Sequence, residues 1–425
     1  MRRSARAFGL EVAVVVAVAA LLLNWWYGAR RTPPSAETSG PGVAVVTSSA
    51  LALRQDAIQL YAAGQFPPAC ERFSRAAEHD PASAAWRQDV ARCFEGWGWQ
   101  TLRDGRPAEA ALLFRQGLKA APDDPGLLRG LGIAAIHDGR PPDALDPLER
   151  VASADADPEV RLLLARLYDQ RDEPERAVGH LQAVLEREPE HPAARRLLEK
   201  VVRERHVEAG FRRHTTAHFM LKSRGRDGEA MRAVLGALER AYERVGDRLG
   251  YRPAERLTVV LYENTQFRSV TRVHGWVTGL FDGKIRLPLG ATLPPQAALE
   301  RLVAHEYAHA AIHELSRGRA PRWLHEGLAQ ALEGAQADPQ LRVPGALTLA
   351  GLEALVTDPD AVRARAGYDI ALWVTQDLEQ RGGMSALRAL LERLGAGDPL
   401  GGAMARVYGV PLAELESQWR NLLGS

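Results

Sequence analysis

The chemistry in this chain of 425 residues concentrates at His305-Glu306-Tyr307-Ala308-His309. Two histidines four apart on a helix lie one turn from each other on one face, close enough to share a metal ion. Glu306, rotated about 100° from His305, flanks such a site instead of ligating and can take a proton from an attacking water. Two neutral imidazoles need a third ligand, and a catalytic site keeps its fourth position for water. His313 continues the i, i+4 series, but one more turn carries it roughly 6 Å further along the axis, away from the pair. Glu326 lies in Trp323-Leu324-His325-Glu326-Gly327-Leu328-Ala329, 17 residues beyond His309. That interval holds a short loop and permits a second, antiparallel helix to fold back. His325, on a neighbouring face of that helix, is the weaker alternative.

These side chains need elements to hold them. Pro294 and Pro295 suit a helix start, and the helical period runs on to Leu315. Upstream, residues 257–262 (Leu-Thr-Val-Val-Leu-Tyr) predict a strand, and residues 277–281 and 284–289 flank the hairpin signal Asp282-Gly283. Downstream, Tyr368 stands in Arg365-Ala366-Gly367-Tyr368-Asp369, where a helix start is expected. It is a candidate second donor for the oxyanion that water attack on a carbonyl creates. Tyr307 reads as a core residue.

Residues 51–205 repeat. Ala69, Phe73, Ala76 and Pro81 recur with the same steps as Ala110, Phe114, Gly117 and Pro122, and again as Ala177, Leu181, Val184 and Pro189. A looser copy has Ala144, Leu148 and Val151, so the alanines are spaced 41, 34 and 33 residues apart. A small residue followed one turn later by a large one suits two closely crossing helices, and the proline ends the second. Gly64, Gly105 and Gly139 mark the turns inside the pairs. Residues 193–205 read as a charged capping helix.

This pattern resembles the tetratricopeptide repeat (TPR) family, with about four units, whose arrays bind peptides or proteins on a concave face. The C-terminal half, about residues 210–425, resembles the gluzincin branch of zinc metallopeptidases, in its bacterial peptidase MA-like group. The resemblance is carried by His305-Glu306-x-x-His309, by Trp323-Leu324-x-Glu326-Gly327-x-Ala329 and by a tail with Tyr408-Gly409-Val410-Pro411, Leu415 and Trp419. It implies one zinc ion held by His305, His309 and Glu326, with Glu306 as general base. The metzincin form fails, because Ile312 and Leu315 stand where that branch has glycine and histidine. Gln330 departs from thermolysin-like members, which carry an acidic residue there. The family's substrate-pairing edge strand is expected at 284–289, with a core hairpin that makes no substrate contact as the equal alternative. No Gly-x-Met-x-Asn segment is present, which tilts the reading from aminopeptidase to endopeptidase.

The remaining signals place the chain. Lys+Arg total 54 against 53 Asp+Glu, a balance that argues against a nucleic-acid partner. Arg2, Arg3 and Arg6 precede an apolar stretch over residues 8–27 that closes on Trp25, Trp26 and Tyr27. The bulky aromatics where a cleavage site would stand favour an uncleaved signal anchor over a cleaved signal peptide. Cys70 and Cys93 lie at similar heights on neighbouring helices, which leaves a disulfide and two buried thiols equally open.

The expected architecture is an anchor at 1–29, a flexible linker at 30–50, an α-helical TPR solenoid at 51–205 and an α+β zincin-like domain at 206–425. The expected function is a single-pass inner-membrane zinc endopeptidase facing the periplasm, whose repeats recruit protein substrates or partners. The alternative is an inactive envelope scaffold that binds partners through its repeats.

Overall fold

The computed structural model describes residues 48–154, 157–225, 228–272, 279–289, 292–342 and 348–423. The expected membrane anchor lies outside them. Among the described residues no helix is long and apolar enough to cross a membrane. The chain divides into two compact units.

The first unit is a helical repeat array. Its pairs are α1 (Ser48–Ala62) with α2 (Phe66–Ala77), α3 (Ala84–Arg103) with α4 (Pro107–Ala120), α5 (Pro125–His137) with α6 (Leu145–Ala154), and α7 (Pro158–Gln170) with α8 (Pro174–Arg187). The alanines at 69, 110, 144 and 177 are fully buried, and Phe73, Phe114, Leu148 and Leu181 pack one turn beyond them. Proline at a first helical position costs no hydrogen bond and fixes the entry angle, which is why Pro107, Pro125, Pro158 and Pro174 open helices. Cys70 and Cys93 form a disulfide between α2 and α3, with their Cα atoms 5.4 Å apart.

The turns inside the pairs adopt left-handed backbone at Gly64, Gly105 and Gly139, five residues before each repeat alanine. The fourth pair has Asp172 at that place, with φ 61°. A non-glycine residue bears strain there, which aspartate tolerates better than most. The Asp172 carboxylate shows what the substitution serves, because it is buried in the second unit. That unit comprises Asp169–Pro174 and everything described from Leu198 onward. The division therefore falls inside α9 (Pro192–Glu208), ahead of the boundary read at 205/206.

The second unit is α+β. Strands β1 (Arg212–Thr215), β2 (Phe219–Ser223), β3 (Leu257–Tyr262), β4 (Leu280–Phe281) and β5 (Ile285–Pro288) form one sheet in the order β1-β2-β3-β5-β4. The central strands β2, β3 and β5 are parallel, joined through α10 (Gly228–Leu249) and α11 (Asn264–Thr271); β1 and β4 are antiparallel edges. The segment 284–289 thus forms an interior strand, in line with the core alternative and not with the edge. The two-residue β4 occupies that place, pairing Leu280 with Arg286 and Phe281 with Ile285.

Strand alternation gives the sheet two unlike faces. Phe219, Leu221, Val259, Leu261, Ile285 and Leu287 point into an apolar core with α10 and the following helices. The opposite face carries Lys222, Lys284 and Arg286 into a buried ion network. Lys222 meets Asp172 at 2.7 Å and also Glu208. Lys284 lies 3.2 Å from Asp172 and 3.4 Å from Asp169. Arg286 bonds Glu204 at 2.9 Å, Asp282 at 3.0 Å and the Tyr262 hydroxyl at 2.7 Å. Lys200 closes the network on Asp169 at 2.7 Å and Glu204 at 3.0 Å. The second half of α9 is thereby part of the sheet unit.

Below the apolar face lie α12 (Gln296–Ser316), α13 (Arg322–Glu333), α14 (Leu349–Val356), the helical run α15 (Ala361–Ala396), α16 (Leu400–Tyr408) and α17 (Leu412–Leu423). Leu299, Val303, Ala304, Tyr307, Ala308 and Ile312 are buried around α12, as expected of a helix enclosed by its neighbours. α15 is broken at Gly383, whose φ is 74°.

Candidate metal centre

α12 and α13 bring His305, His309 and Glu326 together, with one ligand atom from each within 4.8 Å of the others. Glu326 Oε2 lies 3.6 Å from His305 Nε2 and 3.5 Å from His309 Nε2. Tetrahedral ligands about 2.1 Å from a shared ion stand roughly 3.4 Å apart, so both contacts suit one. The His305 and His309 rings are 4.8 Å apart at 88°. Glu326 Oε1 faces Arg322 Nη2 at 3.5 Å.

Local structure explains why Glu326 points inward. The backbone N–H groups of Arg322 and Trp323 donate to the Glu353 carboxylate at 3.0 and 3.1 Å, which satisfies the first turn of α13. Trp323 is fully buried behind the site. Gly327 lets α13 approach α15, because a Cβ there would stand 2.3 Å from the Ala371 carbonyl oxygen. Gln330 donates to the Tyr368 carbonyl at 2.9 Å and to the Glu326 carbonyl at 3.2 Å, tying the same two helices.

Glu306 flanks the trio as its helical phase predicts. It is buried, and its Oε2 has no hydrogen-bond partner among the described residues. Gly279, just before β4, makes room for it: a Cβ at 279 would lie 2.0 Å from Glu306 Oε1. Burial pushes the Glu306 carboxyl upward, against the partial opposition of His305 and His309. Burial also acts on Glu326, but His309 and hydrogen bonds to both imidazoles hold it well below the usual carboxylate range. His305 is lowered by burial and raised more strongly by hydrogen bonds to Glu326 and Glu333, reaching about 10. Two imidazoles, an ionised carboxylate and an orphaned buried carboxyl oxygen form a donor set that fits a zinc ion.

Tyr368 reaches the same site. Burial and then the Glu326 charge push its hydroxyl upward, keeping it a hydrogen-bond donor beside the cluster. It lies two turns inside α15, which begins at Ala361, and not at a helix start as expected. Tyr307 is buried against Phe219 and Tyr242. His313 falls outside the trio; its ring meets Phe281 edge-on at 5.5 Å, and burial pushes it down to about 4. His325 lies 5.7 Å from the His309 ring and is held neutral chiefly by burial.

Sequence reasoning missed Glu333 and Gly279. Glu333 Oε2 stands 3.1 Å from His305 Nδ1. Its spacing of seven from Glu326 was the available signal, since i and i+7 share a helical face. Gly279 had none, because its neighbour is distant in sequence.

Residues 101–167 and 148–201 match the tetratricopeptide repeat family, so the array carries such repeats. Among solved structures, YrrB, titled a TPR protein with an unusual peptide-binding site, is 20% identical, with 37% of this chain and 78% of that one covered at a TM-score of 0.29. A thermophilic TPR protein of Thermus thermophilus is 17% identical over 36% of this chain and 98% of its own, at 0.23. A tetratricopeptide repeat protein of Parabacteroides merdae is 13% identical over 82% and 99%, at 0.33. No curated protein matches.

Proposed function

We propose that the chain is a zinc-dependent endopeptidase whose repeats present protein substrates or partners to its C-terminal unit. The observation that carries this is the convergence of His305, His309 and Glu326 beside a buried Glu306 oxygen that has no partner among the described residues. Arrays of tetratricopeptide repeats bind protein or peptide partners, which supports the recruiting role.

His305, His309 and Glu326 would hold the zinc ion. When bound, zinc supplies Lewis acidity and makes water nucleophilic at neutral pH. Glu306 accepts the proton of the attacking water and delivers it to the leaving amine, a transfer favoured by burial that raises its proton affinity. Tyr368 donates a hydrogen bond to the oxygen on which negative charge develops. The edge strand β4 lies beside Glu306, and its side left unpaired among the described residues offers backbone groups to an extended substrate. These assignments place the substrate strand at 280–281 in preference to 284–289.

The anchor read at residues 8–27 and the Cys70–Cys93 disulfide support a membrane-attached protein in an oxidising compartment such as the periplasm. The scaffold alternative is favoured by the repeats alone and differs in one outcome, the absence of hydrolysis. On an internally quenched peptide with a blocked N-terminus, Glu306→Gln should keep its metal and lose about 10²–10⁴-fold in turnover. Tyr368→Phe should lose about 10²-fold. Wild type that binds zinc and cleaves nothing would favour the scaffold.

A further inference from the structure

The face of α13 that holds Glu326 also presents Gln330 and Glu333, at i+4 and i+7. Gln330 spends its amide on backbone carbonyls, Nε2 donating to Tyr368 of α15 and to Glu326 of its own helix. It therefore supplies no negative charge to the metal helix. Glu333, one turn further on, reaches His305 Nδ1 at 3.1 Å from a side chain that is 21% exposed. With Glu333 as its acceptor the Nδ1 proton is held in place, so Nε2, which faces Glu326 and His309, is the nitrogen that would give its lone pair to a metal.

We propose that Glu333 is the positioning residue of the metal centre, fixing the tautomer and ring orientation of His305. The proposal rests on the metal reading above. It gives position 333 the carboxylate that thermolysin-like members carry at 330, where this chain has a glutamine bonded to α15. A carboxylate behind a ligating imidazole also raises its basicity, and loss of such a partner costs about 10–100-fold in metal affinity.

The test is zinc affinity by chelator competition on the full chain, with no substrate present. Glu333→Ala should bind zinc 10–100-fold more weakly than wild type. Glu333→Gln, which still offers Nδ1 an acceptor, should recover most of that loss. Cobalt-substituted samples give an independent readout, since the visible spectrum reports the ligand field and not overall stability. Glu333→Ala within twofold of wild type would overturn the proposal, as would a loss that glutamine leaves fully in place. If the alanine variant fails to fold, Glu333→Leu, which keeps the bulk but offers Nδ1 no acceptor, replaces it: altered cobalt bands and weaker zinc support the role, and a superimposable spectrum with unchanged affinity overturns it. Wild type that takes up no metal would instead overturn the metal reading itself.

Discussion

The sheet of the second unit separates two buried clusters of charge that obey opposite rules. On one face Asp169, Asp172, Glu204, Glu208 and Asp282 meet Lys200, Lys222, Lys284 and Arg286, and each carboxylate has a cation within 3.7 Å. On the other side, Glu306 and Glu326 converge on two imidazoles, and Glu306 Oε2 has no partner among the described residues. A closed network satisfies itself and holds elements together. The open one leaves a carboxyl oxygen beside the imidazoles without a donor among the described residues, which is the feature the proposed metal reading uses. Both clusters bury several carboxylates, so buried acidic charge alone does not distinguish architecture from function. Compensation does.

The contrast can be broken from either side. Arg286→Met leaves Glu204 and Asp282 buried without their closest cation, and the expected loss is about 3–5 kcal/mol of unfolding free energy. Urea unfolding followed in the second unit measures it, and zinc content per folded molecule should not change. Reduction of Cys70–Cys93 acts on the other unit. It should cost that unit about 3 kcal/mol for a closed loop of this length, and a repeat-unit transition that moves while the second unit's stays fixed is the expected record. Replacing Glu306 has the opposite sign. With its orphaned carboxylate removed, Glu306→Gln should gain about 1 kcal/mol in the metal-free protein while hydrolysis is lost.

The smallest effect concerns pH. Burial works against the Asp172 and Asp169 carboxylates, but the neighbouring lysines prevail and hold both below their ordinary value. Groups with depressed values contribute stability that is complete above the unfolded value near about 4 and lost as pH falls further. Lys284 is raised by its carboxylates despite burial, so its contribution is complete below about 10 and lost as pH rises beyond the folded value. The stability difference between wild type and Arg286→Met should therefore stay flat from pH 5 to 9 and shrink below pH 4. A difference that varies across the neutral range would show that the network is not fully ionised.

The legible parts of this chain were those set by local rules. Helical spacing put His305, Glu306 and His309 on one turn, and the fold-back allowance made Glu326 a candidate that the family resemblance then singled out, because each depends on a fixed turn of 100° or a short loop. The repeat alanines were legible for the same reason. What escaped depended on pairing between distant segments. The interior position of β5 follows from β3 running parallel beside it, which no hairpin signal encodes. Gly279 is required by a side chain 27 residues later. Asp172, which breaks the series of turn glycines in the fourth pair, was not singled out from the sequence, and the carboxylate's destination explains the break.

The central claim is that the open cluster holds zinc while the closed one holds the fold. Zinc stoichiometry on the purified full chain, measured beside Glu326→Ala, tests it most directly. The account predicts one zinc per chain in the wild type and its loss or sharp weakening in the variant, with both proteins folded. A folded wild type that resists zinc loading would contradict it.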